Sequence, residues 1–288
     1  MKQVVLIFVD GLGLGLSDPT VNPVHSGACP MLERLLAEKA APLDACLGMP
    51  GLPQSATGTT AILTGINAAR LAGRHVEGFP GGQLREVIKQ HNLFHQLAGR
   101  GLTSTFANAY FVDEMSEVEQ GRRQSVTTVA ALAAFGRVRN RAMLERGEAV
   151  YQDLTRDGLR ARGYTGPLIS PSDAARHLMT IAHTCHLTLF EYFQTDRAGH
   201  SGDGERVRTV LSLLDEFIGE LLLLAKRDGV LLAMTSDHGN IEDSRTHRHT
   251  VNPVPFVAAG PEGEELRKRV TSIVDVTPAL LEWLSGSE

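Results

Sequence analysis

The sequence predicts an α/β protein built on a doubly wound, mainly parallel sheet that carries a small inserted lid. Two observations predict it. Short continuous apolar runs recur at wide intervals, as in strands buried on both faces, and amphipathic helical patterns separate them. A third observation concerns position. Carboxylates and imidazoles stand at the ends of several of these runs, where open α/β sheets place their ligand sites.

The elements follow in chain order. Val4–Val9 is a β-branched and aromatic run, the composition of a central parallel strand. Helical spacing then predicts Met31–Lys39, Thr59–Thr64 and Asn92–Arg100. From 111 to 172 the pattern changes to short helical pieces and turn signals (Arg146-Gly147, Asp157-Gly158, Thr165-Gly166-Pro167), with no strong buried strand. A helix over Ala174–His183 leads to a second strand run, Leu187–Phe193. The long amphipathic pattern Gly204–Lys226 is a helix, and Glu220 interrupts its most apolar stretch. Strand runs at Val230–Met234 and Val254–Ala258 and a closing helix over Val274–Leu284 complete the series. We therefore expect a core of residues 1–110 and 173–288 and a lid of residues 111–172.

Composition bounds the function. With 288 residues, 42% hydrophobic and 21% charged, the chain can bury a large core. A net charge of -5 argues against general nucleic-acid binding, which draws on excess positive charge. No run approaches the ~18 apolar residues of a membrane span. The opening run of six apolar residues is too short for a secretory core, so a cytoplasmic protein is expected. Cys29, Cys46 and Cys185 are widely spaced, which suits buried thiols in a reducing compartment. Between Gly121 and Arg162 stand nine arginines, no lysine and four acidic residues, a local charge of +5 in a chain of -5. Such an insert over an acidic site suits a small anionic substrate. Gly11-x-Gly13-x-Gly15 lacks the spacing of a dinucleotide fingerprint. No feature specifies an oligomeric state.

The chemistry gathers at the strand ends. The first run ends in Asp10-Gly11 and the second leads into Asp196, with His200 four residues on, one helical turn away. A later run delivers Asp237-His238-Gly239, and His249 precedes the next. Three carboxylates and three imidazoles suit zinc or manganese and serve calcium or magnesium poorly. Ser55 stands just ahead of an apolar helical stretch, where free N–H groups and the positive dipole end favour a phosphate. Taken singly, an Asp at a strand end is commonly a turn residue and a Ser at a helix start an N-cap. The set together points to metal-assisted chemistry.

Asp10-Gly11, Ser55-x-x-Gly58, Asp196-x-x-x-His200, Asp237-His238-Gly239 and His249-Thr250-x-Asn252-Pro253-Val254-Pro255-Phe256 resemble the motif series of the alkaline phosphatase superfamily. The nearest branch is that of cofactor-independent phosphoglycerate mutase and phosphopentomutase. The resemblance implies an alkaline phosphatase-like core and two divalent metal ions, Mn2+ or Zn2+. One ion would be held by Asp10, Ser55, Asp237 and His238, the other by Asp196, His200 and His249. Ser55 would be the nucleophile toward a small phosphorylated metabolite, with Arg74, His75 and Thr57 as substrate-binding candidates. Thr59 stands where the mutases usually carry His, and an insert of about 60 residues is small beside their closing domains. Phosphatase- or phosphodiesterase-like hydrolysis is therefore the leading expectation. A phosphomutase is the alternative, and a catalytically inactive metal-binding protein is the rival of another class.

Overall fold

The computed structural model describes residues 1–121 and 123–286. Its strands are β1 (Val4–Val9), β2 (Ala40–Leu43), β3 (Ser104–Phe106), β4 (Leu187–Tyr192), β5 (Leu231–Thr235) and β6 (Val254–Ala259). They form one six-stranded sheet in the order β2-β6-β5-β1-β4-β3. β1 lies between β4 and β5, parallel to both, and every residue of β1 and β4 is buried. Only β6 runs against the rest, antiparallel to β5 and to β2. The four strands expected from apolar runs are all present. β2 and β3 escape that signal because they are short edge strands. Pro42 interrupts the first, and the second opens with two polar residues.

The period of two along β1 divides the core. Val4, Leu6 and Phe8 join one apolar cluster, and Val5, Ile7 and Val9 join another on the opposite face. Over the second face pack α1 (Pro30–Lys39) and two helices named below. The first face is covered by α2 (Ser55–Thr64), α3 (Ala68–Ala72), α4 (Gly82–His91) and α5 (Leu93–Ala98). Asn92 ends α4 and caps α5, its side chain accepting from the His95 N–H, so the single helix expected over Asn92–Arg100 is preceded by a second.

Within 111–172 lie α6 (Ser116–Glu119), α7 (Val126–Phe135), α8 (Arg141–Glu145) and a 3-10 turn at Asp157–Arg162. α7 is apolar nearly all round, and Val126, Val129, Ala130 and Ala131 pack in the main core. Beyond it, Leu144, Ala149, Tyr151, Leu159 and Tyr164 close with Ala109 into a small separate cluster. α9 (Pro171–Ala182) and α11 (Gly204–Asp228) are the remaining helices of the second face, with the short α10 (Gln194–Ser201) between them. A Ser170–Asp173 capping box starts α9. α12 (Gly263–Arg267) and α13 (Val276–Ser285) end the described chain, and no described helix is long and apolar enough to cross a membrane.

Candidate metal centre

Asp10 follows the last residue of β1, and Ser236 to His238 follow β5, so both segments leave the sheet at the carboxyl ends of its parallel strands. β4 ends two residues before α10, and one helical turn of α10 separates Asp196 from His200 on the same face. Since β6 is reversed, its beginning lies at that same edge, and the loop before it delivers His249. Ser55 is the first residue of α2.

These side chains meet. His238 Nε2 lies 3.3 Å from Asp10 Oδ1 and 3.7 Å from Asp237 Oδ2, and the Ser55 hydroxyl is 3.0 Å from the same nitrogen. Asp196 Oδ1 lies 3.3 Å from His200 Nε2 and 3.5 Å from His249 Nε2. The His238 and His249 rings stack with centroids 3.6 Å apart. Two groups result, Asp10 with Asp237 and His238, and Asp196 with His238 and His249, each with ligand atoms within 4.8 Å of one another.

Several observations fit a cation here. His249 Nδ1 donates to the Pro53 carbonyl at 2.8 Å and His200 Nδ1 to the His247 carbonyl at 2.6 Å. In the neutral form of each ring Nε2 then presents its lone pair, and the two Nε2 atoms face each other at 3.1 Å. Oδ1 of Asp10 and Oδ1 of Asp237 are buried with no hydrogen-bond partner among the described residues. Among the described residues no lysine or arginine pairs with Asp10, Asp196 or Asp237; imidazoles alone lie within reach. Buried carboxylates without a counter-charge are costly, and a divalent ion would supply one.

The electrostatics follow. Burial, then the charges of Asp237, Asp196 and Glu191, push the Asp10 carboxyl well above the ordinary range. Burial also works upward on Asp196, but the bond from His249 and the charges of His238 and His200 outweigh it and hold the group low. His238 is lowered chiefly by burial. Burial disfavours the charged His249, yet its bonds to Asp196 and the Pro53 carbonyl more than compensate and raise it.

Ser55-x-x-Gly58 has a steric reason. A Cβ on Gly58 would lie 2.8 Å from both Cβ and the carbonyl oxygen of Asp237, so only glycine lets α2 approach the Asp237 loop this closely. Thr59, one residue on, donates its hydroxyl to Asp237 Oδ2 at 3.0 Å. Thr57 is turned elsewhere. Its hydroxyl donates to the Gln54 carbonyl and accepts from the Val76 N–H. The Ala56 N–H in turn donates to the Val76 carbonyl, which pins the 73–79 loop onto the start of α2 and occupies one of the amides available to a phosphate. Arg74 and His75 belong to that loop, and neither they nor Thr57 line the cavity described next.

A cavity of about 780 Å³ opens over Asp10, Ser55 and Asp196. Arg123, Arg162 and Arg197 line it, and none of the three pairs with a carboxylate among the described residues. Arg162 sits over the Phe111 ring and Arg197 over Phe193, at 5.4 and 5.1 Å. Arg122, counted in the basic stretch, lies outside the described residues. Glu191 also lines the cavity. It accepts from the Thr127 hydroxyl at 2.5 Å, and burial pushes its carboxyl up to about 7. Sequence reasoning passed over Glu191, although an acidic residue inside a buried strand run is itself a signal.

A family model described as Metalloenzyme superfamily matches residues 2–286. The 2,3-bisphosphoglycerate-independent phosphoglycerate mutase of Natronomonas pharaonis is 35% identical over 101 residues, covering 32% of this chain and 20% of that protein. The mutase of Mycoplasmoides gallisepticum is 30% identical over 124 residues, 41% of this chain and 24% of that one. The matched stretches thus span a quarter or less of these relatives. Among solved structures, the alkaline phosphatase of the Antarctic bacterium TAB5 superposes with a TM-score of 0.61 at 16% identity, covering 100% of this chain and 98% of that one. Leishmania mexicana phosphoglycerate mutase gives 0.54 at 12%, covering 100% and 96%. At such identities these two likenesses describe the fold alone.

Proposed function

This chain belongs to the Metalloenzyme superfamily, and from that premise we propose that it is a two-metal phosphohydrolase acting on a small phosphorylated metabolite through Ser55. Asp10, Ser55, Asp237 and His238 would hold one divalent cation, Mn2+ or Zn2+, and Asp196, His200 and His249 the other. Bound there, the cations would supply positive charge that favours the Ser55 alkoxide and offsets charge on phosphoryl oxygens.

The observation that carries the reading is the Ser55 hydroxyl, 3.0 Å from His238 Nε2 at the start of a buried helix and on the floor of an arginine-lined cavity. Ser55 Oγ attacks phosphorus, the bond from phosphorus to the departing alcohol breaks, and water then cleaves the phosphoserine to release phosphate. Arg123, Arg162 and Arg197 line the cavity without a carboxylate partner among the described residues and orient the anionic substrate. The segment 111–172 supplies Arg123, Tyr151 and Arg162 to the cavity wall and acts as its lid, restricting water around the reacting group.

The similarity to mutases favours a second reading, return of the phosphoryl group to another oxygen of the same substrate. Incubation with phosphosugars or phosphoglycerate separates the two: free phosphate supports hydrolysis, and an isomer without phosphate release supports the mutase. Ser55→Ala should abolish either activity and weaken binding of the cation held by Asp10, Asp237 and His238, with the other cation largely retained. A wild-type protein that turns over no phosphoester, p-nitrophenyl phosphate included, with manganese or zinc would overturn the enzyme reading in favour of an inactive metal-binding protein.

A further inference from the structure

Glu242 is fully buried, and among the described residues no cationic side chain partners its carboxylate. Oε2 accepts from the Gly13 N–H at 3.0 Å and the Asn240 N–H at 2.7 Å. Oε1 accepts from the Thr250 hydroxyl at 2.5 Å and the Asn252 amide at 3.0 Å. Four neutral donors, one from the loop after β1 and three from the connection between β5 and β6 that also carries Glu242, therefore converge on one buried charge, filling the positions a carboxylate offers.

The identity of those loops matters. Gly13 lies three residues after Asp10, Asn240 two residues after His238, and Thr250 directly after His249. Neighbouring bonds repeat the pattern. The Leu12 N–H donates to Ser236 Oγ at 3.0 Å, and the Leu14 N–H donates to the Pro253 carbonyl at 2.9 Å. The Asn240 amide donates to Asp196 Oδ1 at 2.8 Å, linking α10 to the same connection.

The glycine-rich run after β1 acquires a purpose from this arrangement. A Cβ on Gly13 would fall within the Glu242 carboxylate, one on Gly15 would lie 2.8 Å from Glu242 Cγ, and one on Gly239 would strike both Glu242 and Thr250. The glycines are the space that the buried side chain occupies. No nucleotide phosphate is needed to explain them.

We propose that Glu242 is a positioning residue that fixes the loops bearing Asp10, His238 and His249 in mutual register, so that the two ligand groups keep the spacing a cation requires. This rests on the metal reading of the site. Glu242→Gln keeps the shape of the side chain but presents an amide donor to donors already facing it, so one pair of bonds is lost and the loops separate.

The test uses full-length protein stripped of metal with chelator. Mn2+ or Zn2+ binding is measured by titration calorimetry, and kcat and KM are measured with p-nitrophenyl phosphate. Glu242→Gln is expected to weaken cation affinity by ~10- to 100-fold, the range known for groups that orient metal ligands, and to lower kcat with KM little changed. Glu242→Asp, which keeps the charge, is expected to recover part of the affinity in the same titration. If Glu242→Gln proves insoluble, Thr250→Val and Asn252→Ala each remove a single donor, and a several-fold loss of cation affinity is expected from either. Wild-type affinity in these folded variants, with only a lower melting temperature, would overturn the positioning role and leave the metal reading standing. Absence of cation binding by the wild-type protein would overturn both.

Discussion

Replacing Glu191 by glutamine should change how stability depends on pH. In the metal-free protein this carboxyl is buried on β4 and pushed from 4.5 to about 7, first by burial and then by the charge of Asp237, against the bond from Thr127. The sign follows from proton binding. Between about 4.5 and 7 the native state holds a proton on Glu191 that the unfolded chain has released, so stability falls as pH rises through that window. At 1.36 kcal/mol per pKa unit, the loss attributable to this group is about 3 kcal/mol, complete by pH 8. The side-chain amide of the variant would be neutral throughout and can still accept from Thr127. Urea unfolding of chelator-treated wild type and Glu191→Gln at pH 5 and pH 8 measures the difference. The two proteins should be similar at pH 5, and at pH 8 the variant should be the more stable by about 2 to 3 kcal/mol. Equal pH slopes, or a variant less stable at pH 8, would refute the argument.

Two further predictions address packing and substrate binding. Gly58→Ala sets a helix-propensity gain of about 1 kcal/mol against overpacking of about 1–3 kcal/mol where the new Cβ meets Asp237 at 2.8 Å. Net destabilisation in urea unfolding, together with weakened Mn2+ binding, is expected, and a stabilised variant would mean that the approach is looser than described. Arg162→Ala or Arg123→Ala removes from the cavity wall a guanidinium that pairs with no carboxylate among the described residues. Either should raise KM for a phosphoester about 10-fold, the equivalent of one charge-assisted hydrogen bond, with a smaller change in kcat. An unchanged KM in both variants would remove the cavity wall from substrate binding.

A good part of this protein can be read from its residues alone. A strand buried on both faces must be apolar throughout, so Val4–Val9, Leu187–Phe193 and the runs near 231 and 254 reveal the sheet locally. Asp10, Asp196, Asp237 and His249 stand out because each adjoins such a run, and strand ends share one edge in an open sheet. The edge strands Ala40–Leu43 and Ser104–Phe106 carry no such mark, since neighbouring backbone holds them rather than their own side chains. Tertiary structure alone decided that β6 is reversed, which is what brings His249 to the Asp196 edge. It also decided that Glu191 faces the cavity, that Arg123 and Arg162 line it while Arg74 and His75 do not, and that Glu242 ties the loop after β1 to both arms of the connection between β5 and β6. Periodicity records how an element is buried against its surroundings. Which distant segments become those surroundings depends on packing across the whole chain, and no local pattern carries that information.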